Sequence, residues 1–102
     1  MENEEIEIEQ GKIPGKIIVK GRINTLNAPR LESEIINTLN AGNKHIILDL
    51  SRVSYLSSTG IRVLLKTFKQ ANTLGGKLNI EHPSENVKNV LGMAALKEML
   101  LE

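Results

Sequence analysis

Short aliphatic runs alternate with stretches whose apolar residues recur every three or four positions, and that alternation admits few folds. Ile17-Ile18-Val19, Ile46-Ile47-Leu48 and the pair Leu78 and Ile80 read as strands. Between the first two, Leu31, Ile35 and Leu39 are spaced by four behind Asn27-Ala28-Pro29, where Asn27 supplies a capping side chain and Pro29 an early helical proline. This helix ends near Gly42. The longest helix starts at Ser58, with Ile61, Leu64, Leu65, Phe68 and Ala71 on one face and Arg62, Lys66 and Lys69 on another, until Gly75-Gly76 stops it.

Ile6 and Ile8 alternate with glutamates over Glu4 to Glu9, and turn residues from Gly11 to Gly15 join that segment to Lys16 to Lys20 as a hairpin. The glutamates suit an edge strand, where charge discourages pairing with another chain. His45 to Leu50 shows no alternation, a pattern expected of a central strand buried on both faces. Lys77 to Glu81 forms the last strand, Pro83 opens a helical region with Val87, Val90 and Leu91, and Ala94 to Leu101 closes the chain as a short helix. The order β-β-α-β-α-β-α-α implies right-handed crossovers and an α/β fold: a small, mostly parallel four-stranded sheet with an N-terminal hairpin.

At 102 residues the expectation is one domain over residues 1–102, with a core that must be aliphatic because Tyr55 and Phe68 are the only aromatic residues. Thirteen basic against twelve acidic residues leave no global field to attract nucleic acid or an anionic membrane. The absence of cysteine removes disulfides and thiol nucleophiles. Five glutamates within Met1 to Glu9 are unlike a secretory leader, and no apolar run nears the roughly 20 residues of a membrane span. A cytoplasmic location, no membrane insertion and a monomer or weak dimer are the expectations.

Tyr55-Leu56-Ser57-Ser58-Thr59-Gly60 places three consecutive hydroxyls between the central strand's exit and the longest helix. Crevices beyond the carboxyl ends of parallel strands are common binding sites, and helix N-termini favour anions. One hydroxyl can also serve simply as the helix cap, contributing about 1 kcal/mol. The two roles are compatible.

The segment Asp49-Leu50-Ser51-Arg52-Val53-Ser54-Tyr55-Leu56-Ser57-Ser58-Thr59-Gly60-Ile61 resembles the signature of the STAS family, in which an Asp-Ser-Ser/Thr-Gly tetrad follows an aspartate-bearing strand. Gly21-Arg22-Ile23-Asn24 with Ala28-Pro29, Gly75-Gly76-Lys77-Leu78, and Val87 to Leu96 extend the likeness over nearly the whole chain. The resemblance implies a bacterial anti-sigma factor antagonist, a non-enzymatic regulator of transcription whose partner is an anti-sigma factor with serine kinase activity. It places the phosphoacceptor at Ser58 and the partner surface at Asn24, Ser57, Ser58, Thr59 and Gly60; Arg62 and Lys66 are expected to contribute to that surface because their charges share a helix face beside Ser58. Ser57 and Asn24 stand where the family carries aspartates, and Ala95 stands where it carries a glycine. The missing carboxylate before Ser58 suits the alternative of a non-phosphorylated STAS scaffold subunit of a transporter or sensory complex.

Catalytic chemistry is not expected. Ser57 and Ser58 lack a Gly-x-Ser-x-Gly elbow, Asp49 is the sole aspartate, and Gly75-Gly76 is an isolated pair rather than a phosphate loop. His45 and His82 have no second ligand at metal spacing, so no metal and no cofactor are expected.

Overall fold

The aliphatic runs pair into a four-stranded sheet. In the computed structural model, which describes residues 6–93, strands β1 (Ile6–Gln10), β2 (Lys16–Ile23), β3 (His45–Leu56) and β4 (Lys77–Glu81) lie in the order β1-β2-β3-β4. β1 runs antiparallel to β2, while β2 with β3 and β3 with β4 are parallel. Helices α1 (Ala28–Asn40) and α2 (Ser58–Thr73) form the two crossovers, and α3 (Glu85–Met93) follows β4. The fold class and element order are those expected, and the closing helix at Ala94 to Leu101 lies outside the described residues.

Burial on β3 departs from the expectation of a strand covered on both sides. Ile46, Leu48 and Leu50 are fully buried, whereas Ile47 and Asp49 are half-buried and His45 is exposed. Leu31 and Ile35 of α1 and Leu64 of α2 share one core with the first set. The unbroken apolar run arises because Ile47 sits on the other face, between Lys16 of β2 and Asn79 of β4. That face is polar and paired: Lys16 Nζ meets Glu81 at 3.1 Å and Lys20 Nζ meets Glu9 at 3.5 Å. Partial burial raises the Asp49 carboxyl's pKa, but hydrogen bonds from Ser51 and the nearby Lys16 and His82 outweigh it and hold the group below its ordinary value.

Both inner strands run further than their sequences suggest, β2 to Ile23 and β3 to Leu56. Pairing between them slips twice, between Ile18 and Lys20 and between Gly21 and Arg22. Such irregularities rotate a strand about its axis, so beyond Leu50 the buried residues Val53 and Leu56 fall three apart and the two-residue period disappears. β4 pairs only with His45 through Asp49. Beyond it, the segment leading into α3 takes over: the Ser84 amide donates to the Leu50 carbonyl (3.3 Å), the Ser84 hydroxyl to that of Val53 (2.6 Å), and Asn86 Nδ2 to that of Ser54 (2.7 Å).

Two helix details also differ from expectation. Asn27 precedes α1 but its side chain makes no cap bond. Fully buried, it folds back instead, donating to the Arg22 carbonyl (2.8 Å) and accepting from the Asn24 amide (2.9 Å). On α2 the fully sheltered stripe is Gly60, Val63, Leu64, Thr67 and Ala71, while Ile61, Leu65 and Phe68 are half-buried at its margin. Thr67 tolerates the core because its hydroxyl donates to the Val63 carbonyl at 2.7 Å, satisfying a polar atom that would otherwise be costly to bury.

Candidate functional site at the head of helix α2

β2 and β3 end side by side, and the Ser57 amide donates to the Ile23 carbonyl at 2.9 Å, fixing where the chain leaves the sheet. Ser57 has extended backbone angles and its Oγ accepts the Gly60 amide at 3.0 Å, so it is the N-cap of α2. Only 6% exposed, it cannot present its hydroxyl to a partner. Ser58 is the first helical residue; its side chain is exposed and bonded to no described residue. The three hydroxyls therefore divide: Ser57 holds the helix, Ser58 faces outward, and Thr59, half-buried, lies 3.4 Å from the Thr25 hydroxyl in the β2 to α1 loop.

Gly60 is required by packing rather than by backbone angle. A Cβ there would come within 2.7 Å of Leu56 Cδ1 and 2.8 Å of Ile23 Cγ2, both on buried residues at the strand ends. The close approach seats the first turn of α2 directly on the ends of β2 and β3.

Asn24 shapes the adjoining loop, its Oδ1 accepting the amides of Leu26 (3.0 Å) and Asn27 (2.9 Å). Thus Asn24 and Ser57 through Gly60 converge at the strand ends. Arg62 is exposed one helical turn beyond Ser58. Lys66 lies a further turn along, and its Nζ is 2.6 Å from Glu32 of α1, so it belongs as much to the contact between the helices as to this surface.

Sequence reasoning missed an apolar part of the patch. Arg22 and Tyr55 are register partners, and the guanidinium sits 4.5 Å from the centre of the Tyr55 ring. Tyr55 is 41% exposed and Leu26, in the same loop as Thr25, is 62% exposed. Leu26 interrupting the polar run Asn24-Thr25-Leu26-Asn27 was the one sequence signal, and it reads equally as an unremarkable loop residue. Large side chains that are part apolar and part polar, such as Tyr and Arg, are favoured at protein contacts.

Among the described residues no group of histidine and carboxylate side chains could hold a metal ion, and a ring nitrogen of His45 is instead 3.1 Å from Asn79 Oδ1. No described helix is long and apolar enough to cross a membrane.

Residues 6–101 match the STAS domain family model. The chain belongs to the STAS family. This STAS domain is 33% identical over 87 residues to a Bordetella bronchiseptica protein named as an anti-sigma factor antagonist, BtrV, covering 83% of this chain and 75% of that one. It is 28% identical over 98 residues to the anti-sigma-B factor antagonist of Bacillus subtilis, covering 96% and 89%. The solved structure of the Bacillus cell fate determinant SpoIIAA in the phosphorylated form superimposes with a TM-score of 0.69 at 16% identity, over 93% of this chain and 87% of that one, a likeness of fold.

Because Ser57 carries the cap, Ser57→Ala is expected to destabilise the STAS domain by about 1–2 kcal/mol, through loss of the cap and an unsatisfied Gly60 amide. Ser57→Asp keeps an acceptor and is expected to lose less. Urea unfolding of the three proteins decides it; an unchanged midpoint for the alanine variant removes Ser57 from the capping role.

Proposed function

We propose that this chain is a regulator of the anti-sigma factor antagonist type, which captures an anti-sigma factor with serine kinase activity while Ser58 is unmodified and releases it once Ser58 carries phosphate. The observation that carries this reading is the division of labour between adjacent serines. The Ser58 hydroxyl is exposed and unbonded at the start of α2, while the helix is held by Ser57. A hydroxyl so placed can be modified without dismantling the helix behind it. The partner supplies ATP: the Ser58 oxygen attacks the γ-phosphorus, ADP departs, and the hydroxyl proton goes to a base on the kinase.

The added phosphate brings nearly two negative charges and a strongly hydrated group. On a surface that a partner covers, desolvating that group opposes docking, whereas at the head of a helix it is compatible with the fold. Asn24, Thr59 and Gly60 shape the surface around Ser58, and Leu26, Tyr55, Arg22, Arg62 and Lys66 extend it. Names of the Bordetella and Bacillus subtilis relatives support an anti-sigma factor as the partner, and the phosphorylated state of SpoIIAA supports the modification.

One feature favours a second reading, a scaffold that is never phosphorylated: by the resemblance of its motif, Ser57 stands where the family carries an aspartate beside the acceptor. Incubation with a kinase-type anti-sigma factor and labelled ATP separates the two. The expected result is one phosphate per chain, located at Ser58 by peptide mapping and absent from Ser58→Ala. Label on another residue rejects the Ser58 assignment, and absence of label leaves the scaffold reading.

A further inference from the structure

A phosphate on Ser58 would emerge on the first turn of α2 and would be drawn to whatever cation can reach it. Three cations belong to the surface proposed above. Arg22 lies over the Tyr55 ring, and Lys66 is engaged with Glu32. Arg62 is different: it is exposed and its side chain makes no hydrogen bond or ion pair with any described residue. It is four residues after Ser58, the spacing at which two helical residues share a face. Direction matters as well as spacing. Helical side chains lean toward the N-terminus of their helix, so the long Arg62 side chain reaches back over the turn that carries Ser58. Its planar fork of donors matches two phosphate oxygens at once, and α2 contains no acidic side chain to compete for it.

We propose that Arg62 receives the Ser58 phosphate within the same chain. The inference rests on the phosphorylation reading above and adds a second consequence of modification. Arg62 lines an open groove along α2 together with Leu65, Lys66, Lys69, Gln70 and Thr73. Pairing with phosphate withdraws the Arg62 guanidinium from that groove and cancels part of its positive charge. Modification therefore alters the surface at two points one turn apart, with no backbone movement.

The test uses the full chain with phosphoserine installed at position 58 during synthesis, so no kinase is involved. The second ionisation of the phosphate is followed by phosphorus NMR across pH, for the otherwise unsubstituted protein, Arg62→Gln and Lys66→Gln. A cation beside the phosphate favours its doubly charged form. The phosphate is expected to titrate about 0.3 pH units lower with Arg62 present than in Arg62→Gln, the size of an exposed pair one turn apart. Lys66→Gln is expected to match the unsubstituted protein, and 1 M salt to narrow the difference. Identical titration with and without Arg62, or a larger change from Lys66→Gln, overturns the assignment. Either result leaves the phosphorylation reading standing, whereas failure of a kinase to label Ser58 removes that reading whatever the titration gives.

Discussion

Ser58→Asp is expected to weaken capture of the anti-sigma partner by about 100-fold, while Ser58→Ala stays within about threefold of the unsubstituted protein. The first value follows from desolvating a carboxylate at a protein contact, a cost of about 2–5 kcal/mol that the exposed Arg62 one turn away offsets only weakly, with about 1.4 kcal/mol for each factor of ten. The second follows from exposure: the Ser58 side chain is bonded to no described residue, so removing its oxygen breaks nothing inside the chain. Calorimetric titration against the partner measures both. If the aspartate variant binds as tightly as the parent, Ser58 lies outside the contact and the switch has no basis. If the alanine variant alone fails to bind, the hydroxyl is a contact group rather than a site of control.

The largest effect on stability is expected from Leu48→Ala. Leu48 is fully buried at the middle of the sheet, with Ile17 of β2 on one side and Ile80 of β4 on the other. Removing its isobutyl group leaves a hole walled by stiff, branched neighbours on regular strands, which have little room to collapse into it. A loss of about 2–5 kcal/mol follows, a large share of the 5–15 kcal/mol by which a domain of this kind is stable. Urea unfolding should show a lower midpoint with an unchanged slope. Ile47→Ala, on the half-buried face, is the control and should cost clearly less. Equal losses at the two positions would contradict a core confined to one side of the sheet.

Periodicity exposed the order of elements because each helix presents an apolar stripe to the sheet and each strand is short. It exposed much less about how the sheet is covered. Ile46-Ile47-Leu48 looks like a strand sheltered on both faces, but its middle residue lies among salt-bridged side chains whose aliphatic stems provide partial cover. The ends of β2 and β3 were hidden for a different reason, since the slips in their pairing erase the two-residue rhythm on which strand recognition depends. Capping residues were half legible. The Ser57-Ser58-Thr59 run announced a helix start without saying which hydroxyl caps it, and Asn27, in a sequence position typical of a cap, turns its amide to the end of β2 and the loop after it. At the candidate site, the motif drew attention to Ser58 and its neighbours. Arg22 over Tyr55 depends on strand register across more than thirty residues, and no local pattern carries that information.

β3 continues well past the last residue that pairs with β4, and serine and asparagine side chains near α3 seal the overhang. The tip of β3 that carries Tyr55 is therefore held by the segment leading into α3 rather than by the outer strand. Changes at Ser84 or Asn86, remote in sequence, would therefore loosen that tip.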